Sequence, residues 1–288
     1  MVQIFNKSSR CGDIVLNSYV FHNGLAVDMR GEENHSISII IPIYNEEKRI
    51  AKCIQRTVDY LENHTNWDFE IIVANDASND KTADILESLS RLSNSIRILS
   101  WATRVGKGLS IKKAAYSCSK QYIAYMDVDL AADPCEFERL IKFISDYDIV
   151  IGSRLIRDGL PSIDRPMYRS FLSYSYSFLF RALFRVPISD PQCGFKLFKK
   201  EALLDLCNHI YNNAYVFDSE LLVKARILGY RVREVPINWR HIGGSKIHAA
   251  NQIIAMGGDM FSLWYNMHGG HRSQLKRTSE RHLDVQNQ

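Results

Sequence analysis

From residue 36 onward the chain alternates short apolar runs with segments whose apolar residues recur at helical spacing. Residues 36–43 form a near-continuous β-branched run, the mark of a strand covered on both faces. Ile50, Cys53, Ile54, Val58 and Leu61 follow in the pattern of an amphipathic helix. Residues 69–74 read as the next strand, and Ile85, Leu86, Leu89 and Leu92 mark the next helix. A third strand is predicted over 96–99, a helix over about 108–118, and a fourth strand over 122–126 that runs into Asp127. Asp133-Pro134-Cys135-Glu136 opens a further helix, with an Asp cap, Pro at the first helical position and Glu at the third. A fifth strand covers 149–151. Such alternation implies an α/β fold with a mostly parallel central sheet and helices on both faces.

Beyond Gly152 the pattern changes. An aromatic and basic segment, 165–185, leads to Asp190-Pro191-Gln192-Cys193-Gly194-Phe195-Lys196. A helix is predicted around 219–228, ending at Gly229, then a strand over 231–239 and a polar Gly-Gly-Ser loop over 241–246. Ile253, Ile254, Met256, Met260, Phe261, Leu263 and Trp264 predict a last amphipathic helix. At the other end, apolar-rich runs flank His22-Asn23-Gly24, and Asn-Gly is a strong hairpin signal. The expected organisation is an N-terminal extension with a hairpin (1–35), a main α/β domain (36–250), a C-terminal amphipathic helix (251–270) and a polar tail (271–288).

Ligands of open α/β sheets bind outside the carboxyl ends of the strands. Tyr44, Glu46, Asp76, Asp127 and Asp129 all fall at such ends. Asp127 and Asp129 are one residue apart, so they can share a hard divalent cation, Mg²⁺ or Mn²⁺, that keeps part of its water shell and grips a diphosphate. A second Asp-x-Asp, Asp146-Tyr147-Asp148, reads as a polar turn ahead of the fifth strand.

The chain has 288 residues, 46% hydrophobic and 24% charged, enough apolar material for one large globular domain. A net charge of +4 suits an anionic small molecule or an anionic membrane surface, and there is no dense basic stripe for nucleic acid. The six cysteines lie far apart with no C-x-x-C, so neither a zinc site nor a disulfide framework is expected; reduced core cysteines in a cytoplasmic protein are. The first 35 residues carry no secretory h-region, and the most apolar later stretch, 171–186, is broken by Arg181 and Arg185. No spanning segment is expected.

Four motifs occur in the order and spacing of family 2 glycosyltransferases: Ile41-Pro42-Ile43-Tyr44-Asn45-Glu46-Glu47, Ala74-Asn75-Asp76-Ala77-Ser78-Asn79-Asp80, Gly106-Lys107-Gly108 and Asp127-Val128-Asp129. Within that family Asp190 to Lys196, Phe217-Asp218-Ser219-Glu220-Leu221-Leu222, and Trp239 with Gly244-Ser245-Lys246 resemble the dolichyl-phosphate β-glucosyltransferase and dolichol-phosphate mannosyltransferase branch. The likeness covers roughly 37–250. Two departures stand out. The family usually has Asp-Asp-Gly-Ser where this chain has Asn75-Asp76-Ala77-Ser78, which leaves Asp76 alone in the carboxylate's role. The Asn common before Gly-Lys-Gly is replaced by a stretch with Arg104 and Val105.

The resemblance implies a Rossmann-like GT-A fold and an inverting, metal-dependent hexose transfer from a nucleotide-diphosphate sugar, UDP-glucose ahead of GDP-mannose, to a polyprenyl or dolichyl phosphate. It implies Pro42, Tyr44, Glu46, Asp76, Lys107 and Asp127 at the nucleotide sugar, and Asp127 and Asp129 at the metal. Glu46 also reads as charge compensation for the helix that follows it, and Asp76 as the start of a turn. Arg154 and Arg169 are the expected anchors of the acceptor phosphate, with Arg157 and Arg165 equally placed in sequence. A phosphate monoester is largely the dianion at neutral pH and attacks without a base, whereas a sugar hydroxyl needs one. Asp190 and Asp218 are catalytic-site candidates that support or position the acceptor, or act as base should it be a hydroxyl. Segment 165–185 and the last helix are the expected contacts of a protein peripherally bound at the cytoplasmic membrane face. A hydroxyl acceptor in glycan synthesis, or a non-catalytic nucleotide-sugar-binding relative, are the alternatives; the oligomeric state is left open.

Overall fold

The computed structural model describes residues 19–22, 25–28, 34–91, 93–156, 167–210, 216–240 and 249–267. β1 (Tyr19–His22) and β2 (Leu25–Asp28) pair antiparallel, with Val20 opposite Val27, on either side of Asn23-Gly24. The main sheet has seven strands: β3 (Ser36–Ile43), β4 (Asp68–Asn75), β5 (Ile96–Ser100), β6 (Tyr122–Met126), β7 (Ile149–Ser153), β8 (Phe195–Lys199) and β9 (Val232–Pro236), in the order β5-β4-β3-β6-β8-β7-β9. Only β8 runs against its neighbours, antiparallel to both β6 and β7; every other pairing is parallel.

Successive side chains of a strand point to opposite faces, and the sheet fills both. Ile37, Ile39, Ile41 and Ile43 of β3 join one core with α1 (Ile50–His64), α2 (Thr82–Ser90) and α4 (Phe137–Ile141). Ile40 turns to the other, built with α3 (Lys107–Ala115), α5 (Met167–Phe184), α6 (Lys200–His209), α7 (Phe217–Ile227) and α8 (Ala249–Tyr265). Two-sided burial explains why β3 is apolar throughout instead of alternating. Asp133 accepts a bond from the Cys135 amide at 3.1 Å and opens a 3-10 turn, Pro134–Glu136, which leads into α4.

Two elements lie outside the expected pattern. β8 falls where no strand is predicted; in the fold Phe195 and Leu197 enter one core, Phe198 the other, and Lys196 is fully buried with a partner. α6 was not anticipated, although Ala202, Leu203, Leu206 and Cys207 carry a helical spacing. The strand expected over 231–239 ends at Pro236, and Trp239 rejoins the molecule by an isolated antiparallel bridge to Ala132.

At the amino end of the sheet Glu70 of β4, 6% exposed, ties neighbouring segments together. It accepts bonds from Ser38 Oγ at 2.7 Å, from the Ser119 amide and hydroxyl at 2.6 and 2.8 Å, and from Arg97 at 2.8 Å. Burial alone would push its carboxyl up, but these donors outweigh burial and hold it down at about 2, against 4.5 unperturbed. A depressed carboxyl stabilises the fold above its unfolded value, and the contribution is lost as pH falls through the folded one. Glu70→Gln should therefore cost about 2 kcal/mol at neutral pH, reduced from the full linkage value because Arg97 is half exposed and solvent-screened. In urea titrations the gap between the two proteins should close between pH 4.5 and about 2; a gap independent of pH would refute the ionised network.

Candidate functional site

Loops leaving the carboxyl ends of β3 and β4 are laced to one another. The Asn45 amide donates to Ser78 Oγ at 2.9 Å, Asn45 Nδ2 donates to Asn79 Oδ1 at 2.8 Å, and the Asn79 amide returns a bond to Asn45 Oδ1 at 2.9 Å. The Glu46 amide donates to Thr82 Oγ1 at 2.9 Å. Pro42 lies past the last β3 residue paired with β6, where a missing amide breaks no ladder bond. The Glu46 carbonyl accepts the Arg49 and Ile50 amides as α1 begins, and its carboxylate lies 3.6 Å from Arg49. Glu46 itself lies ahead of α1, whose first turn carries no acidic residue.

Backbone strain gathers at the same edge. Asn45, Ala77 and Leu130 have φ of 56°, 56° and 57°, each just beyond the carboxyl end of a neighbouring strand, β3, β4 or β6. Asn tolerates this left-handed region, whereas Ala and Leu adopt it only under constraint from their surroundings. Ala77 occupies the position where the resembling motif has Gly, which accounts for the usual residue there.

Asp76, 4% exposed, meets its own neighbourhood instead of an open base edge. Oδ1 accepts the Val105 amide at 2.6 Å and Oδ2 the Gly106 amide at 2.9 Å, which fastens the loop ahead of α3. Asp76 thus holds that loop, with two of about four acceptor positions taken. In the same loop the Arg104 guanidinium stacks 4.0 Å above the Tyr44 ring.

Lys107, the first residue of α3, donates to Asp127 Oδ1 at 2.7 Å and lies 4.0 Å from Asp218 Oδ2. Burial would push its ammonium pKa down, but Asp127 and Asp218 outweigh that and raise it. Asp127 remains 48% exposed at the side chain. Gly194 lies against it so closely that a β-carbon there would come within 2.1 Å of Asp127 Oδ2. Asp129 bends back to accept the Ala131 amide at 3.0 Å, and burial followed by the Asp127 charge pushes its carboxyl up. Two oxygen donors in mutual repulsion, one of them open to solvent, suit a hard divalent cation completed by ligand and water oxygens. Among the described residues no cluster of three metal-ligating side chains exists; Asp127 and Asp129 are the two carboxylates that this strand end presents.

The other two carboxylates are buried and neutralised. Asp218 Oδ1 accepts from Tyr125 Oη and from the fully buried Lys196, each at 2.5 Å. Asp190 grips Arg154 in a two-pronged pair, Nε to Oδ2 and Nη2 to Oδ1, both 2.7 Å, and takes the Arg154 amide at 2.9 Å. Burial alone would raise both carboxyls, but Arg154 lowers Asp190, and Lys196 with Lys107 lowers Asp218. The expectation that Arg154 waits for an acceptor phosphate is thereby corrected: its fork is taken by Asp190 and it stacks 5.7 Å from the Trp239 ring. Arg169 falls in the first turn of α5, and Arg157 and Arg165 lie outside the described residues. Sequence reasoning missed Lys196, Tyr125 and Glu234, which accepts the Ser189 and Asp190 amides at 2.8 and 2.7 Å. The one available signal was a lysine inside an apolar strand pattern.

Comparison with known proteins adds relatives to this geometry. The family model described as "Glycosyl transferase family 2" matches residues 38–207. Glycosyltransferase AglD of Haloferax volcanii is 33% identical over 234 residues, 80% of this chain but 37% of that protein's length. Dolichyl-phosphate beta-glucosyltransferase ALG5C of Trichomonas vaginalis is 35% identical over 226 residues, covering 75% of this chain and 67% of its own. Dolichyl-phosphate beta-glucosyltransferase of Mus musculus is 31% identical over 237 residues, 78% and 73% respectively. Glucosyl-3-phosphoglycerate synthase of Mycobacterium tuberculosis, solved with Mn²⁺, UDP and glucosyl-3-phosphoglycerate, superposes with a TM-score of 0.61 at 17% identity over 81% of this chain and 79% of that one, which shows the same fold.

Two substitutions test this arrangement. Arg154→Met strands the buried Asp190 charge and should cost about 3–5 kcal/mol in urea unfolding, with much of the loss recovered by adding Asp190→Asn; a loss under 1 kcal/mol, roughly the worth of a surface pair, would show the pair to be dispensable. Ala77→Gly relieves the left-handed strain at some cost in chain entropy and should stabilise by up to about 1 kcal/mol; destabilisation would mean that the Ala77 methyl packs productively.

Proposed function

The chain belongs to glycosyl transferase family 2, and on that premise we propose that it transfers glucose from UDP-glucose, with inversion, to the phosphate of a dolichyl or polyprenyl lipid. The observation that carries this reading is the state of Asp190 and Asp218. Both are buried, paired with cations and held below the ordinary carboxyl range, so neither is set up as a general base. An acceptor that brings its own nucleophile, a phosphate dianion, needs no base. Two of the relatives described above are named as dolichyl-phosphate glucosyltransferases, and the solved neighbour holds UDP, which favours UDP-glucose over GDP-mannose.

In the proposed reaction an acceptor phosphate oxygen attacks the anomeric carbon as the bond to the nucleoside diphosphate breaks, giving a β-linked product from an α-linked donor. Mg²⁺ or Mn²⁺ on Asp127 and Asp129 would supply neutralisation of the charge building on the leaving diphosphate. Lys107 adds a mobile positive charge beside it. Tyr44 with its stacked Arg104, the Pro42 and Glu46 loop, and the remaining acceptor positions of Asp76 frame the nucleoside. With Arg154 committed to Asp190, Arg169 in the first turn of α5 takes the acceptor phosphate, since an amino-terminal helical turn favours an anion. Tyr176 of α5 bonds Ser219 Oγ at 2.7 Å, which ties that helix to the residue after Asp218.

Among the described residues no helix is long and apolar enough to cross a membrane. A lipid acceptor then has to be met at a surface. Phe171 and Phe178 of α5 are 70% and 69% exposed, with Tyr174 between them, Arg181 further along the same face and Arg185 just past the end of the helix. Phe261 and Tyr265 of the neighbouring α8 are exposed as well. This aromatic and cationic surface is the proposed contact with the cytoplasmic face of the membrane.

The deciding measurement is transfer of labelled glucose from UDP-glucose to dolichyl phosphate against transfer to free oligosaccharide, with GDP-mannose as rival donor. Label should enter the lipid phase, and Asp129→Ala and Gly194→Ala should each lower turnover by about 10²-fold or more with little loss of melting temperature, because both disturb transition-state charge neutralisation rather than the core. Labelled oligosaccharide with an unlabelled lipid phase would overturn the acceptor assignment and return Asp190 or Asp218 to the role of base.

A further inference from the structure

Lys107 stands between two carboxylates with unequal claims on it. Its ammonium touches Asp127 Oδ1 at 2.7 Å and lies 4.0 Å from Asp218 Oδ2. Its backbone has little freedom to move. The Val105 and Gly106 amides ahead of it are pinned by Asp76, and behind it Gly108 abuts Phe217, where a β-carbon would come within 2.7 Å of the side chain. The side chain does have freedom: it is 39% exposed and turns about four single bonds. Asp218 is the opposite case. Tyr125 and Lys196 hold its Oδ1, and the residue sits at the buried amino end of α7, so Oδ2 stays turned to Lys107.

We propose that Lys107 is an exchangeable counter-ion, which occupies Asp127 while no divalent ion is bound and swings to Asp218 and the donor diphosphate when one arrives. This rests on the reading of Asp127 and Asp129 as a divalent-ion site. An ammonium already bonded to Asp127 competes directly with a second cation for the same oxygen, so a metal ion alone meets a site whose charge is partly spent. A diphosphate changes the balance, because its oxygens accept the displaced ammonium while they help to complete the metal's shell. Metal ion and nucleotide thus each strengthen the other's binding, as linkage requires. The consequence is that Asp127 is kept from holding a naked metal ion until the donor is present. Asp218 and Lys196 act through Lys107 as positioning residues: they provide the seat to which it moves, without contact to the reacting atoms.

A static salt bridge makes the opposite forecast. If Lys107 stays on Asp127 as a fixed charge, its removal tightens Mn²⁺ by about the same factor with and without UDP, so the gain that UDP brings is unchanged. The two are separated by titrating Mn²⁺ into the full chain and following free Mn²⁺ by electron paramagnetic resonance, with and without UDP. The wild type, Lys107→Met, Lys107→Arg and Asp127→Asn are compared, with circular dichroism confirming that each is folded. In the wild type UDP should tighten Mn²⁺ by roughly tenfold or more, within the usual range of coupling between sites. In Lys107→Met, Mn²⁺ alone should bind about tenfold tighter than in the wild type, and UDP should add much less. Lys107→Arg, which keeps the cation, should retain the wild-type pattern. If Lys107→Met binds Mn²⁺ alone no more tightly than the wild type, or if UDP still tightens Mn²⁺ in that variant as much as in the wild type, the exchange is wrong although the metal site stands. If the wild type binds no Mn²⁺ even with UDP, or Asp127→Asn binds it equally well, the metal site itself is wrong and the exchange falls with it.

Discussion

A lysine with no exposed surface, Lys196 on β8, keeps its charge only if an anion and further acceptors meet it in the interior. Asp218 and the Cys193 carbonyl meet that demand, each at 2.5 Å. Much of the site follows from it. Asp218 is drawn to the amino end of α7 and toward α3, where it lies within 4.0 Å of Lys107. The turn that carries Cys193 also carries Gly194, whose bare α-carbon lets the backbone lie against Asp127. The antiparallel insertion of β8 between β6 and β7 is what brings these residues together. Reversing direction there delivers the turn 190–194 to the carboxyl edge of the parallel strands.

Charges at that edge alternate in sign from Lys196 through Asp218, Lys107 and Asp127, and a second pair, Arg154 with Asp190, lies beside them. Each buried member is paired, as the low dielectric of an interior requires. The gradient of exposure along the series is functional in its consequence. Lys196 is sealed, Asp218 nearly so, and Asp127 is about half open. The open end of the series therefore faces solvent, while the buried end anchors it. Left-handed turns at Asn45, Ala77 and Leu130 hold the backbone that surrounds this edge, and the lacing between the β3 and β4 loops keeps them in that shape.

The far end of the sheet is built for a different purpose. Glu70 gathers Ser38, Arg97 and Ser119 into a closed network that makes no approach to the candidate site. Stability at one end and chemistry at the other is the usual division in open α/β sheets, where the loops at the carboxyl edge are free to specialise. The exposed aromatic residues of α5 and α8 belong to neither end of the sheet; they lie on the helical layer whose buried residues, Phe180, Phe184, Met260 and Leu263, pack into one of the two cores.

Apolar periodicity alone located most of the strands and helices, because burial on both faces of a parallel sheet writes itself into consecutive residues such as 37–41. It also located Tyr44, Asp76, Asp127 and Asp129, since a polar residue directly after such a run must lie at a strand end. Its failures have a common cause. β8 was obscured because Lys196 looks like a surface residue until its partner is known. Arg154 looked available because nothing in one dimension shows Asp190, 36 residues away, closing on it. Asp76 looked open because the amides it holds lie 29 and 30 residues along the chain. Which carboxylates stay exposed and which are spent on internal cations is a question of distance and burial. Local sequence determined where the polar groups occur; only the packing of β8, α3 and α7 decided which of them remain available for chemistry, because an ion pair is made by proximity in space and desolvation, and neither has a signature in the residues next to it.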